Sequence, residues 1–184
     1  MSKNMLVLTE AAIFAALAMS LSLLPDFASW FTPSFGTIPL ILFSLRRGLK
    51  AGLLAGLCWG LLHFLLSKVY YLSIPQVLIE YIFAFLVMGL AGLFSTPLKQ
   101  ALAKGQTAKA FSLASLGAIT AILVRYLFHF WAGILFWSDY APEGMSPVLY
   151  SLSVNATAGG LTLLVTLVVL YPLLYLQPKF FQGR

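Results

Sequence analysis

Residues 147–176 form a run of thirty positions without a single aspartate, glutamate, lysine or arginine. A membrane-spanning helix needs about 20 predominantly apolar residues, so this run is long enough to cross a bilayer. Other apolar stretches of comparable character recur along the chain. The pattern therefore predicts an integral membrane protein made of helices.

Composition supports this interpretation. Of the 184 residues, 61% are hydrophobic and only 9% are charged, and the mean hydropathy is +0.96, whereas soluble domains carry roughly 25% charged residues. The length leaves room for five to seven spans and little else, which predicts one transmembrane domain over 1–184. The chain has no phosphate-binding loop for ATP. The net charge is +6, and most of the basic residues lie at the ends of predicted helices. In a membrane protein this distribution indicates topology rather than nucleic-acid binding.

The apolar runs predict an all-α bundle of six transmembrane helices. The first is interpreted as a retained span rather than a cleaved signal peptide, because further spans follow it. The second is short for a full span, which predicts a helix that is partial, tilted or extended into the preceding loop. The predicted ranges are 6–24, 36–45, 49–66, 73–94, 110–131 and 147–176.

Basic residues give the orientation, because they accumulate in cytoplasmic loops. If the N-terminus is inside, nine of the eleven lysines and arginines lie at the inner ends of helices. The outer loops then contain one basic residue, Lys68, and three acidic ones, Asp26, Asp139 and Glu143. Both termini are therefore predicted to be cytoplasmic. The nine are Lys3, Arg46, Arg47, Lys50, Lys99, Lys104, Lys109, Lys179 and Arg184.

Small residues at every fourth position let membrane helices approach closely. Helix 3 carries such a stripe from Gly48 to Gly60, which favours packing within the chain. Helix 1 carries the pair Ala12 and Ala16. This pair has two open interpretations, packing within the bundle or docking of another membrane protein.

Ionisable and polar side chains at membrane depth are costly and mark candidate functional sites. Glu80 lies about seven residues into helix 4. Arg125 and His129 are four positions apart and share one face of helix 5. Asn155 lies about two turns into helix 6. Three helices thus carry polar groups at a similar depth toward the outer side.

Aromatic residues of the outer loops, among them Trp30, Tyr70 and Trp137, lie above these polar groups. A carboxylate surrounded by aromatic faces suits a small organic cation, because each ring can add ~0.5–2 kcal/mol of cation–π stabilisation. The combination predicts a pocket open to the exterior.

Three alternatives give these side chains a structural role instead of a role in ligand binding. Glu80 and Arg125 could form an ion pair that only joins helices 4 and 5. His129 could donate a hydrogen bond to a neighbouring helix. Trp30 and the other loop aromatics could form an interfacial belt.

Five blocks carry a family resemblance that extends over essentially the whole chain. They are LTEAAIFAALA at 8–18, IPLILFSLRRGLKAGLLAGLCWG at 38–60, IEY at 79–81, RYLFHFWAGILFWSDYA at 125–141 and YSLSVN at 150–155. With these blocks the chain resembles the thiamine-specific substrate-binding component of energy-coupling factor transporters. The resemblance implies a six-helix bundle in the bacterial plasma membrane, with a site near the outer face.

The resemblance also implies roles for individual residues. Glu80 would bind the aminopyrimidine of thiamine, with Tyr150 and Asn155 completing its hydrogen bonds. His129 and Trp137 would flank the thiazolium ring, whose fixed positive charge suits aromatic faces.

The loop after helix 1 would close the site through Trp30, and Ala12 and Ala16 would dock a transmembrane coupling subunit. Two positions depart from the family pattern: Arg125 stands in place of a lysine, and Ser34 in place of an acidic residue. The further residues implied to line the pocket are Tyr70, Tyr81, Gly133 and Ser151.

The predicted function is therefore the capture of thiamine on the outer side, without chemistry, cofactor or metal. Membrane lipid, the coupling subunit and two cytoplasmic ATPase subunits would be its partners. One alternative is another cationic heterocycle or a thiamine precursor as ligand. Another is an intramembrane enzyme using Glu80, His129 and Asn155, which the absence of HExxH and of paired carboxylates disfavours. A proton-coupled transporter is disfavoured because no second carboxylate completes a relay.

Overall fold

The computed structural model describes residues 2–25 and 28–183, without the side chain of Lys3, and helices are the only regular secondary structure in this part of the chain. Asp26 and Arg184, which entered the topology prediction, lie outside it. Short 3₁₀ turns at Ser29–Phe31 and Ser138–Tyr140 lie in the connections before α2 and α6. The helices are α1 Lys3–Leu21, α2 Thr37–Arg47, α3 Leu49–Leu65, α4 Ile74–Ala103, α5 Thr107–Phe136, α6 Pro147–Leu176 and α7 Pro178–Phe181.

Four described helices, α1, α4, α5 and α6, are long and apolar enough to cross a membrane. α3 is shorter at 17 residues. α2 has 11 residues, which at a rise of about 1.5 Å each is too short for a hydrocarbon layer of about 30 Å. Large apolar side chains such as Leu135 and Val168 are exposed on the outside of the bundle. The chain is thus an all-α, multi-pass membrane protein.

The fourth helix differs from its prediction, which placed its end at residue 94. It continues to Ala103, and the polar segment Ser95–Ala103 is regular α-helix. Tight 3₁₀-like turns occupy Val87–Phe94, and α-helical bonding resumes at Ser95. Pro97 therefore lies in a first turn, where its missing N–H breaks no helical hydrogen bond.

The first and fifth helices also differ from their predicted ranges. α1 ends at Leu21 rather than at residue 24, because the N–H groups of Leu23 and Leu24 bond to the carbonyls three residues back, those of Ser20 and Leu21, instead of four. α5 extends beyond 110–131 at both ends and covers Thr107–Phe136. Hydropathy marks where lipid ends, whereas hydrogen bonding decides where the helix ends.

The glycine stripe of α3 packs against α4, which confirms the predicted contact within the chain. A Cβ atom at Gly52 would lie 2.9 Å from Cα of Gly89. A Cβ at Gly56 would overlap the carbonyl oxygen of Phe85, and one at Gly60 would overlap that of Tyr81. The two backbones can be this close only because the stripe has no side chains.

Glu10 joins the N-terminal and C-terminal parts of the chain. Its carboxylate accepts hydrogen bonds from Arg46 at 3.2 Å and from Arg47 at 2.5 and 2.6 Å. Arg46 also donates to the carbonyl of Phe180, and Arg47 donates to that of Gly183 at 3.2 Å. The arginines that marked topology in the sequence thus hold α1, α2 and the C-terminal segment together at one end of the bundle.

Candidate ligand-binding site

A cavity of about 740 Å³ opens at the other end of the bundle, between α3, α4, α5 and α6 and the connection that follows α1. Ligand pockets in proteins commonly measure 300–1,000 Å³. All eleven residues predicted to contact a ligand line this cavity, although their contact with a ligand remains a prediction. They are Trp30, Tyr70, Glu80, Tyr81, Arg125, His129, Gly133, Trp137, Tyr150, Ser151 and Asn155.

The carboxylate of Glu80 is held from two directions. Its Oε1 accepts a hydrogen bond from Nε1 of Trp137 at 2.9 Å, and its Oε2 accepts one from Nε2 of Gln76. Glu80 lies in Leu78–Phe83, a wide π-helical turn of α4. Such turns interrupt regular α-helix and are frequent at functional sites. The carboxylate is thereby fixed at the cavity wall before any ligand binds.

Gln76 is a residue that the sequence interpretation missed. It is fully buried. Its Nε2 also donates to the carbonyl of Tyr70 at 3.0 Å, and its Oε1 accepts from the backbone N–H of Leu72 at 3.2 Å. It therefore connects Glu80 to the loop before α4. The signal available in the sequence was its position one helical turn before Glu80, which places both side chains on one face.

Three aromatic rings surround the cavity mouth. The ring centroid of Trp30 lies 5.8 Å from that of Trp137 and 5.9 Å from that of Tyr70. Tyr70 and Trp137 are 6.2 Å apart and nearly perpendicular. The backbone N–H of Tyr70 donates to the hydroxyl of Tyr81 at 3.0 Å. Trp30 thus takes part in a cluster with residues of the site rather than standing alone as a belt residue.

Close packing between α5 and α6 builds the opposite wall. Ser151 donates to the carbonyl of Phe130 at 2.8 Å, and a Cβ at Gly133 would overlap its hydroxyl. Asn155 donates through Nδ2 to the carbonyl and the hydroxyl of Ser151, at 2.9 and 3.2 Å. None of the described residues donates to Oδ1 of Asn155, so this oxygen is available to a donor in the cavity.

The predicted alternatives for α5 do not hold in the structure. Across residues 2–25 and 28–183, no ion pair joins Glu80 to Arg125. His129 forms no hydrogen bond to a described residue, and its ring lies 5.8 Å from that of Tyr126. The guanidinium of Arg125 instead lies over the rings of Trp59 and Phe85, at 4.7 and 4.3 Å.

Trp59 is a second residue missed from the sequence. It is fully buried, lines the cavity and donates to the hydroxyl of Ser22 at 3.1 Å. His63, one turn further along α3, bonds through Nδ1 to the carbonyl of Trp59 at 2.9 Å and also lines the cavity. The local signal was weak, because a tryptophan next to Gly60 in an apolar helix is compatible with ordinary packing.

The predicted docking residues lie away from the cavity. Ala11, Ala15 and Ala18 are buried in the bundle, whereas Ala12 and Ala16 are exposed on the outward face of α1. Packing within the chain therefore does not account for this pair.

Comparison with known proteins covers the chain almost from end to end. The family model described as "Thiamine transporter protein (Thia_YuaJ)" matches residues 8–182. The chain belongs to this thiamine transporter family. This confirms the resemblance stated from the sequence blocks, and it confirms a role in transport rather than catalysis.

Relatives within the thiamine transporter family agree along their whole lengths. The thiamine transporter ThiT of Lacticaseibacillus paracasei is 35% identical over 187 residues, covering 99% of this chain and 93% of the relative. The thiamine transporter ThiT of Bacillus subtilis is 29% identical, covering 97% and 95%. The solved structure of ThiT from Listeria monocytogenes is 42% identical and superposes with a TM-score of 0.93, covering 98% and 99%.

Proposed function

We propose that this member of the thiamine transporter family binds thiamine in the cavity, as the substrate-binding component of an energy-coupling factor importer. The observation that carries the proposal is the carboxylate of Glu80, fixed by Gln76 and Trp137 inside an aromatic-walled cavity. A fixed carboxylate beside aromatic faces matches a ligand with one ring that donates hydrogen bonds and one ring that is cationic.

The aminopyrimidine would bind to Glu80, which can accept hydrogen bonds from its amino group. Oδ1 of Asn155 and the hydroxyl of Tyr150 would complete the polar contacts from α6. Both residues line the cavity, and Oδ1 of Asn155 is free of described donors. The thiazolium would lie between His129 and Trp137. Its permanent charge attracts it to ring faces without any change of protonation.

Trp30 would act as the closing residue over the bound ligand. It is half-exposed at the mouth, and its ring contacts those of Tyr70 and Trp137. A loop residue whose ring lies against other rim residues can move away and return once a ligand fills the space below. Ser34 lies in the same connection, where its backbone N–H donates to Thr162 at 2.9 Å and ties the loop to α6.

The proposed topology has six helices in the membrane, with the short α2 making its crossing together with the loop that precedes it. Both termini would be cytoplasmic and the cavity would face outward. Arg46 and Arg47 bind Glu10 and also donate to the carbonyls of Phe180 and Gly183, which supports a shared location of the N-terminal and C-terminal parts. Basic residues concentrate at that end, which favours the cytoplasmic side. The ligand would thus be captured outside the cell.

Ala12 and Ala16 would dock a transmembrane coupling subunit, which two cytoplasmic ATPase subunits would drive. Their exposure on the outward face of α1 supports this assignment, because small side chains admit a partner helix closely. Lipid would cover the remaining apolar surface.

Calorimetric titration of the purified chain with thiamine tests the proposal, with thiamine monophosphate and the pyrimidine half of thiamine as competitors that define the ligand. We expect saturable binding of thiamine, and a loss of roughly 10-fold or more in affinity for Glu80→Gln, because a charge-assisted hydrogen bond is lost. Glu143→Gln, in an exposed loop, is the matched control and should bind as the wild type does. The proposal would be contradicted if the wild type showed no saturable binding of thiamine, or if Glu80→Gln and Glu143→Gln bound thiamine equally well.

A further inference from the structure

We propose that Arg125 forms a subsite for a small inorganic anion such as chloride in the inner part of the cavity, and that this anion binds together with the cationic ligand. The coupling of the two rests on the proposed function, whereas the subsite itself rests on the structure alone. Arg125 lies twelve positions before Trp137 along α5, about 18 Å below the mouth at 1.5 Å per residue.

The guanidinium of Arg125 is buried without a hydrogen-bond acceptor. The residue is 6% exposed, and its Nε and Nη1 are buried and have no hydrogen-bond partner among the described residues. The part that remains exposed borders the cavity. Buried donors of this kind are normally paired, since an unmade hydrogen bond to a charged group is costly. An acceptor that enters the cavity would remove this cost.

The two neighbouring rings do not replace an acceptor. The guanidinium carbon lies over the rings of Trp59 and Phe85, 4.7 and 4.3 Å from their centroids, and a ring face has no lone pair to accept a hydrogen bond. Cation–π contact stabilises the charge over a ring face, whereas guanidinium N–H bonds point outward in its plane. The rings therefore hold Arg125 in place and leave its donors for an anion.

The charged side chains that line the cavity also favour binding of an anion. Among the described residues they are Glu80, the buried Arg125 and Lys68, and Lys68 is exposed to solvent at the mouth. Glu80 is bonded to Gln76 and Trp137 and forms no ion pair with Arg125 within residues 28–183. A thiazolium would add a positive charge above the buried guanidinium of Arg125. Repulsion between charges is stronger where water is excluded, and one anion bound at Arg125 would relieve it.

The coupling is tested by titrating the full-length protein with thiamine in sodium chloride and in sodium gluconate at equal ionic strength. We expect affinity in chloride to be higher by roughly fivefold or more, the lower range of typical coupling between two sites. The difference should disappear in Arg125→Gln and persist in Lys68→Gln, the matched loss of a cation at the mouth. Equal affinity of the wild type in both salts would overturn the coupling.

Anomalous diffraction from crystals grown in sodium bromide without thiamine tests the subsite independently. We expect a bromide peak within hydrogen-bonding distance of the Arg125 guanidinium, and its loss in Arg125→Gln crystals. The wild-type experiment requires no variant to fold. Absence of the peak would overturn the subsite even where thiamine binds, whereas a peak at Arg125 in a protein that does not bind thiamine would uphold the subsite and overturn only the proposed function.

Discussion

Nε1 of Trp137 donates a hydrogen bond to Oε1 of Glu80 across 2.9 Å, joining residues 57 positions apart in the chain. The indole therefore has two roles in the site. Its ring belongs to the aromatic cluster at the mouth, and its N–H orients the carboxylate below. A single hydrogen bond thus links the aromatic cluster at the mouth to the carboxylate inside the cavity.

Trp137→Phe separates these two roles, because phenylalanine keeps an aromatic face and lacks the N–H. A hydrogen bond to a charged group contributes about 1.5–3 kcal/mol, so we expect thiamine affinity to fall roughly 10- to 100-fold. Calorimetry is the suitable measurement, since the change also removes a fluorophore. Trp131→Phe, on the exposed outer face of α5, is the control and should keep wild-type affinity. An unchanged affinity of Trp137→Phe would show that the N–H does not contribute.

Gln76→Leu tests whether this residue positions Glu80. The change leaves the carbonyl of Tyr70 and the N–H of Leu72 without their partner and releases one oxygen of the carboxylate. We expect thiamine affinity to fall roughly 10-fold or more. Gln100→Leu, at an exposed position of the same helix, provides the comparison. Gln76→Glu should be worse than Gln76→Leu, because it sets a second carboxylate against Glu80. If Gln76→Glu bound thiamine more tightly than Gln76→Leu, Gln76 would not position Glu80 through charge and hydrogen bonding.

Gly56→Ala tests the contact between α3 and α4. The added methyl group would overlap the carbonyl oxygen of Phe85, which is backbone and has little freedom to move. Overpacking of this kind costs about 1–3 kcal/mol, so we expect a lower melting temperature in detergent. Gly160→Ala on α6 is the matched control, because its Cβ would meet no atom within 4 Å. That variant should be neutral or slightly stabilised. Equal melting temperatures would contradict the close approach of the two helices.

Ala12→Trp and Ala16→Trp test the proposed docking face. Both positions are exposed and neither lines the cavity, so thiamine binding by the purified protein should be unchanged. Uptake of labelled thiamine by cells should be abolished, because a bulky ring prevents close contact with a partner helix. Val168→Trp, at an exposed apolar position of α6, should support normal uptake. Normal uptake by the Ala12 and Ala16 variants would contradict docking and indicate that this face of α1 contacts lipid.

Much of the fold could be predicted because the relevant signals are local. α6 begins and ends at the predicted residues, and α2 is as short as expected. The prediction for α4 was wrong after residue 94, because it followed the end of the apolar run, whereas the helix continues through the polar segment Ser95–Ala103. Pro97 fits within this helix because α-helical hydrogen bonding resumes only at Ser95.

The candidate site could be predicted only as a set of residues at one depth. Polarity and helical spacing identified Glu80, His129 and Asn155, and the structure brings them to one cavity. Their partners were not predictable in the same way. The ion pair considered for Glu80 and Arg125 does not form, since Gln76 and Trp137 occupy the carboxylate.

The class of the molecule, the approximate helices and the family follow from the order of residues alone, because hydropathy and family motifs are properties of consecutive residues. The partners of Glu80, the position of Arg125 beside Trp59 and Phe85 without an acceptor, and the outward direction of Ala12 and Ala16 follow from the folded arrangement. These relations depend on how helices rotate and pack against one another, and that arrangement results from contacts between residues far apart in the chain.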